Sequence, residues 1–127
     1  MHKAILMMLL AVVSSSAMAE WVEFGSNDNV TNYADPASIR KVGNKVKIWE
    51  LVDFKTVQGS TGFQFNSAKV QTKYDCKEEQ TRILYVIFHS ENMGGGDVVM
   101  THNKAAKWAP VAPDSINMPL FEFVCGE

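Results

Sequence analysis

The stretch Lys69-Val70-Gln71-Thr72-Lys73-Tyr74-Asp75-Cys76 alternates apolar and polar side chains at the period of two that marks a half-buried strand. Ala68, Val70, Thr72, Tyr74 and Cys76 share one face, and Lys69, Gln71 and Lys73 share the other. The first set is expected against a core and the second in water. The stretch ends on one of only two cysteines; the second, Cys125, lies close to the C-terminus. A bond between them would tie this strand to the end of the chain.

The N-terminus sets the redox context. Met1-His2-Lys3 is followed by an apolar run from Ala4 to Val13, three serines, and Ala17-Met18-Ala19. This is the layout of a secretory signal peptide over residues 1–19, with cleavage expected before Glu20. A membrane span needs about twenty apolar residues, and this run is half that length. No cysteine follows the cleavage site, so lipid attachment there is not expected. The protein is expected to be exported, in the periplasm first and outside the cell as the alternative, without a transmembrane anchor.

Residues 20–127 then form one domain of ordinary size. With Lys3 removed, 11 basic residues stand against 14 acidic ones, a net charge of −3. Nucleic-acid binders carry a basic patch, so nucleic acid is excluded as a partner class. Two cysteines in an exported chain read as a disulfide. Closing a loop of this length contributes roughly 4 kcal/mol in the chain-entropy account. Neither a C-x-x-C motif nor a nearby histidine supports a redox or nucleophilic thiol.

Outward from the central stretch, the same period recurs. Trp21 to Phe24 and Val30 to Tyr33 read as extended segments around the turn Gly25 to Asn29. Asp35-Pro36-Ala37-Ser38-Ile39-Arg40 predicts one turn of helix, with Asp as cap and Pro preset for the first position. Gly43-Asn44 is a turn and Lys45 to Lys55 a strand, with Val46, Ile48, Val52 and Phe54 on one side, Glu50 among them, and Trp49 and Leu51 on the other. Thr56 to Gly62 reads as a loop. Lys77 to Gln80 is a hairpin turn, and Thr81 to Ser90 is a strand apolar on both faces. Val98 to Thr101 reads as a further strand, and Trp108 is expected to be buried. After Pro113 the period moves toward 3.6. Leu120, Phe121, Val124 and Cys125 predict a short helix, with Asn117 as its cap and Pro119 in its first turn.

The fold class expected is α+β: a single antiparallel sheet of about five to six strands, a short C-terminal helix packed on one face, and one disulfide. Both faces of the central strands are apolar, so the face away from the helix needs a cover. Trp21, Phe63, Phe65 and Trp108 could supply it; otherwise a second copy of the chain or a ligand does.

Motifs for chemistry are sparse. Gly94-Gly95-Gly96-Asp97 lacks the spacing and following helix of a phosphate loop and reads as a flexible hairpin tip. His89 and His102 stand apart from other ligands, so no metal site is expected. Asp75, Glu78 and Glu79 lack calcium-loop spacing. The hydrolase and zinc-protease signatures are missing, and no catalytic residues and no cofactor are expected.

Several pieces together resemble the surface-adhesin E-like family of small exported bacterial proteins: Asp35 to Arg40, Val46 to Trp49, Tyr74-Asp75-Cys76 with Arg82-Ile83-Leu84, and Trp108, Pro113, Ser115 and Cys125. The resemblance covers most of residues 20–127. It implies an antiparallel sheet with a C-terminal helix, a disulfide between Cys76 and Cys125, and homodimers in some members. It also implies binding of host matrix or plasma proteins for the namesake. The expected function is a non-catalytic binding protein for host or envelope proteins, with Lys69, Lys73, Lys77 and Trp49 as candidate partner-binding residues. The alternative is a periplasmic carrier of a small, flat, apolar ligand of the haem type, using the uncovered sheet face.

Overall fold

A computed structural model describes residues 20–126 of the chain. The expected signal peptide, residues 1–19, lies outside the described residues. Strands β1 (Val22–Ser26), β2 (Val30–Val42), β3 (Lys45–Ser60), β4 (Phe63–Asp75), β5 (Gln80–His89) and β6 (Val98–His102) follow one another along a single sheet in chain order. A short β7 (Ala109–Pro110) pairs beside β5, making seven strands among the described residues, and helix α1 (Met118–Cys125) follows. All pairings are antiparallel. The strand count is thus slightly above expectation, while the α+β architecture with one C-terminal helix holds.

The strands run so far because two turns are tight. Gly43, at φ 61°, starts the two-residue link between β2 and β3, and Gly62, at φ 88°, ends the link between β3 and β4. Both values are cheap only for glycine. The loop expected over Thr56 to Gly62 is therefore largely strand: β3 continues to Ser60, past a register shift between Asp53 and Gln58. That shift uncouples the strand's outer end from its inner periodicity, which is why the pattern read as loop.

The helix expected over Asp35 to Arg40 is absent; those residues lie within β2 as an irregularity in its pairing with β3. Asp35 behaves as a turn former: its Oδ1 accepts from the Ala37 N–H at 3.1 Å. Ser38 donates its hydroxyl to the Asp35 carbonyl at 2.7 Å and accepts from the Trp49 N–H at 2.9 Å. A side chain of β2 thus stands in for a backbone partner, and the chain rejoins the ladder at Arg40 opposite Lys47.

The central stretch alternates as expected. Val70, Thr72 and Tyr74 are buried, while Lys69, Gln71 and Lys73 are half-buried rather than open to water. Opposed residues place Ala34, Val46, Ile48, Glu50, Val70, Thr72 and Tyr74 on one face. Leu120, Phe121 and Val124 of α1 pack with Ala34, Val46, Ile48 and Tyr74 to form the core. The Tyr74 and Phe121 rings lie 6.0 Å apart. Cys76 and Cys125 are bonded, with Cα atoms 5.4 Å apart, so the helix is anchored to the strand it covers. Pro119 sits in the first turn as expected. Asn117 precedes the helix but makes no side-chain cap; its Oδ1 accepts from Asn32 Nδ2 at 3.3 Å.

The opposite face is covered differently from the expectation. Phe63, Phe65, Phe54 and Phe88 form their own cluster, with ring centroids 4.7 to 5.8 Å apart, but Phe88 stands opposite Ala68 on the helix side of the sheet, so this cluster does not supply the cover. Trp108, expected to be buried, is half-buried at the β5 edge under the Arg82 guanidinium, 5.3 Å from its ring. The cover comes instead from the 3-10 turn Asn92–Gly94. Asp53 Oδ1 accepts from Asn92 Nδ2 at 3.0 Å and from the Met93 N–H at 2.8 Å, and the Gly94 N–H donates to Ser67 Oγ at 2.9 Å. Leu51, Ser67 and His89 on this face are buried. Gly94 to Gly96 is thus fastened by side chains rather than a free hairpin tip.

Candidate functional site

The helix-free face carries three rungs of side chains set by strand register. Leu51, Lys69 and Ile87 make one, Trp49, Gln71 and Tyr85 the next, and Lys47, Lys73 and Arg82 the third. Cross-strand partners point to the same side. The Asn92–Gly94 turn covers the far end of the first rung; in the other two, Lys47 is exposed and the remaining side chains are half-buried.

Trp49 and Tyr85 meet edge to face at 6.1 Å. Trp21, Asp35, Trp49, Lys69 and Ile87 line a shallow hollow of about 220 Å³. An aromatic floor with an ammonium and a carboxylate at its rim can take an apolar side chain and hold charged neighbours of either sign.

Beside it lies a basic concavity of about 250 Å³ lined by Arg40, Val42, Lys45, Lys47 and Lys73. Arg40 stands opposite Lys47 across β2 and β3, and Lys47 opposite Lys73 across β3 and β4. Like charges directly opposed in a sheet are destabilising. The arrangement therefore costs stability that an anionic partner would return. Lys45 is partly neutralised by Asp75 at 3.5 Å. Arg82, fourth in this row, is turned to the sheet edge, where its Nε donates to the Ala106 carbonyl at 2.9 Å.

Of the sequence candidates, Lys69 and Trp49 thus share one hollow and Lys73 lines the next. Lys77 lines neither and is exposed in the turn after Asp75. Arg40, Lys47 and Tyr85 were not singled out from sequence, since only the register reveals that they align with Lys73 and Trp49. The Asp75 carboxyl accepts from the Lys77 and Glu78 N–H groups at 3.1 and 3.0 Å. Chiefly the Glu78 N–H, with help from Lys45, holds it below the usual carboxylate range. It is a turn-former, as its sequence context suggested.

His89 is buried, with neither ring nitrogen partnered. Burial, and then the nearby Lys69 charge, push its pKa down, so the neutral form is favoured. Among the described residues no cluster of three or more His, Cys, Asp or Glu could hold a metal ion.

On the helix side, Tyr74 Oη donates to Glu50 Oε2 at 2.9 Å in a buried setting. Burial pushes the Glu50 carboxyl up to about 7 against the pull of hydrogen bonds from Thr72 and Tyr74. Burial and the adjacent Glu50 also push the Tyr74 phenol upward.

A family model described as surface-adhesin protein E matches residues 21–126. The fold is similar to solved structures of Haemophilus influenzae protein E. One crystal form matches with a TM-score of 0.66 at 16% identity, over 84% of this chain and 87% of the other. Another structure of that protein gives 0.64 at 16% identity, over 84% and 83%. Protein E from non-typeable Haemophilus influenzae gives 0.60 at 16% identity, over 84% and 75%. No curated protein matches by sequence.

Proposed function

The chain belongs to the surface-adhesin protein E family, and from that premise we propose an exported, non-catalytic interaction protein whose helix-free sheet face docks a host or envelope protein. Membership in a family of surface adhesins supports export. Among the described residues no helix is long and apolar enough to cross a membrane. In this reading residues 1–19 are removed as a signal peptide and 20–127 form the adhesin-like domain, in the periplasm or outside the cell.

One observation carries the reading: the Trp49–Tyr85 pair lies one rung from the opposed Lys47 and Lys73, on the face opposite α1. Aromatic anchors beside uncompensated cations suit a protein surface that offers an apolar side chain flanked by carboxylates. Lys69 borders the same hollow, and Lys77 contributes long-range attraction from the turn. A flat, haem-like ligand has less support, since the hollow of about 220 Å³ is small and bordered by charge. A homodimer would join through β6, an edge strand exposed along its length.

Capture by immobilised host matrix proteins tests the proposal. Binding that weakens at least tenfold in the Lys47→Glu, Lys73→Glu double variant supports it. Binding that survives this charge reversal, or no capture by any matrix or envelope protein, removes it.

A further inference from the structure

A second site lies on the other face of the sheet, between the N-terminal end of α1 and the segment before β7. It is a cleft of about 250 Å³. Its lining includes Asn32, Glu50, Val70, Thr72, Ile83 and Asn117, and it falls just below the usual volume of drug-sized pockets.

Two deeply buried polar side chains line it, Glu50 and Asn32, while the donors of Arg82 and Lys107 stay at the rim. Glu50 is 5% exposed and Asn32 8% exposed, so both are more than nine-tenths buried. Asn32 Nδ2 is used on Asn117, but Asn32 Oδ1 is buried with no partner. Glu50 receives a hydrogen bond from Tyr74, and Thr72 also bonds to it, yet it has no ion-pair partner among the described residues. The cations at the rim are Arg82 and Lys107; Arg82 is engaged with the Ala106 carbonyl and the Trp108 ring. An unpaired buried acceptor is costly, and a buried carboxylate without a counter-charge costs more. Val52, Val70 and Ile83 supply apolar walls.

We propose that this cleft binds a small primary amine, its ammonium donating to Glu50 and to Asn32 Oδ1 while its apolar body lies on Val52, Val70 and Ile83. An ammonium offers three donors and the missing positive charge; an alcohol of the same shape offers one donor and none of the charge. The carboxyl's upward-shifted pKa agrees with a site waiting for a cation. This site is separate from the helix-free face, so either proposal can fail alone.

Benzylamine, with benzyl alcohol as its uncharged counterpart, is the probe, followed by amide and side-chain NMR shifts of the full domain. Saturable shifts at Asn32 and Thr72 are expected with the amine and at least tenfold weaker response with the alcohol. Glu50→Gln should weaken amine binding at least tenfold. Ile83→Trp, at a wall that is 42% exposed, should block the cleft with Glu50 and Asn32 intact, and serves if Glu50→Gln does not fold. No saturable shift at 10 mM amine, equal response to the alcohol, or unchanged binding in the folded variants would overturn the proposal and leave the acceptors to buried water.

Discussion

Tyr74 Oη and Glu50 Oε2 lie 2.9 Å apart in the layer between sheet and helix, one strand removed from each other and both buried. The bond joins the strand that carries Cys76 to the centre of its neighbour. Removing the hydroxyl leaves the buried carboxyl one hydrogen bond short. Tyr74→Phe is expected to lose about 1–3 kcal/mol of stability, measured as a lower urea midpoint at unchanged m-value. An unchanged midpoint would show that Glu50 finds a replacement donor.

The same carboxyl gives the fold a pH dependence. Its folded pKa, about 7, is above its ordinary value of 4.5, so between those values the native state binds more protons than the unfolded chain. Stability from this group is full below pH 4.5 and is lost as pH rises through 7. The amplitude is on the order of 3 kcal/mol at 1.36 kcal/mol per unit. His89, shifted downward, acts oppositely below pH 6.5, so the quantity to measure is wild type minus Glu50→Gln. That difference should fall from pH 4.5 to 7; a flat difference would remove Glu50 as the source.

The fastening of α1 to β4 depends on Cys76–Cys125. Replacing both by alanine should cost about 4 kcal/mol in the chain-entropy account and lower Tm accordingly. Thiol labelling of the oxidised, unfolded protein should find no free cysteine. Two labelled thiols would contradict the bond.

Asp53 fastens the Asn92–Gly94 turn over the second face through two acceptor contacts. Asp53→Ala should cost about 1–2 kcal/mol and speed amide exchange at Met93 well beyond the exchange in β4. Unchanged exchange at Met93 would mean that Ser67 alone holds the turn.

The central strand could be read from its letters because a two-residue period needs only one buried face, and Lys69 to Cys76 keep that period without interruption. The disulfide followed from the number of cysteines and the leader. Asp35-Pro36 misled because the same pair starts helices and bulges; what decides is Ser38 meeting the Trp49 backbone, a contact between residues 11 apart. The cover of the second face was illegible for the same reason, since Asp53 and Asn92 are 39 residues apart and neither carries a pattern. Trp49 and the lysines were visible as candidates, whereas Arg40, Lys47 and Tyr85 join them only once the register is known. Glu50 did leave a signal, an acid within an apolar face, but Asn32 left none.

The helix-free face is the centre of the functional account, and amide-shift mapping with the captured partner tests it most directly. The account predicts that the shifts fall on Trp49, Lys69, Gln71, Lys73, Tyr85 and Ile87, and that Trp49→Ala weakens binding at least tenfold while the domain stays folded. Shifts confined to α1 and the Glu50 cleft, with Trp49→Ala binding as wild type, would contradict it.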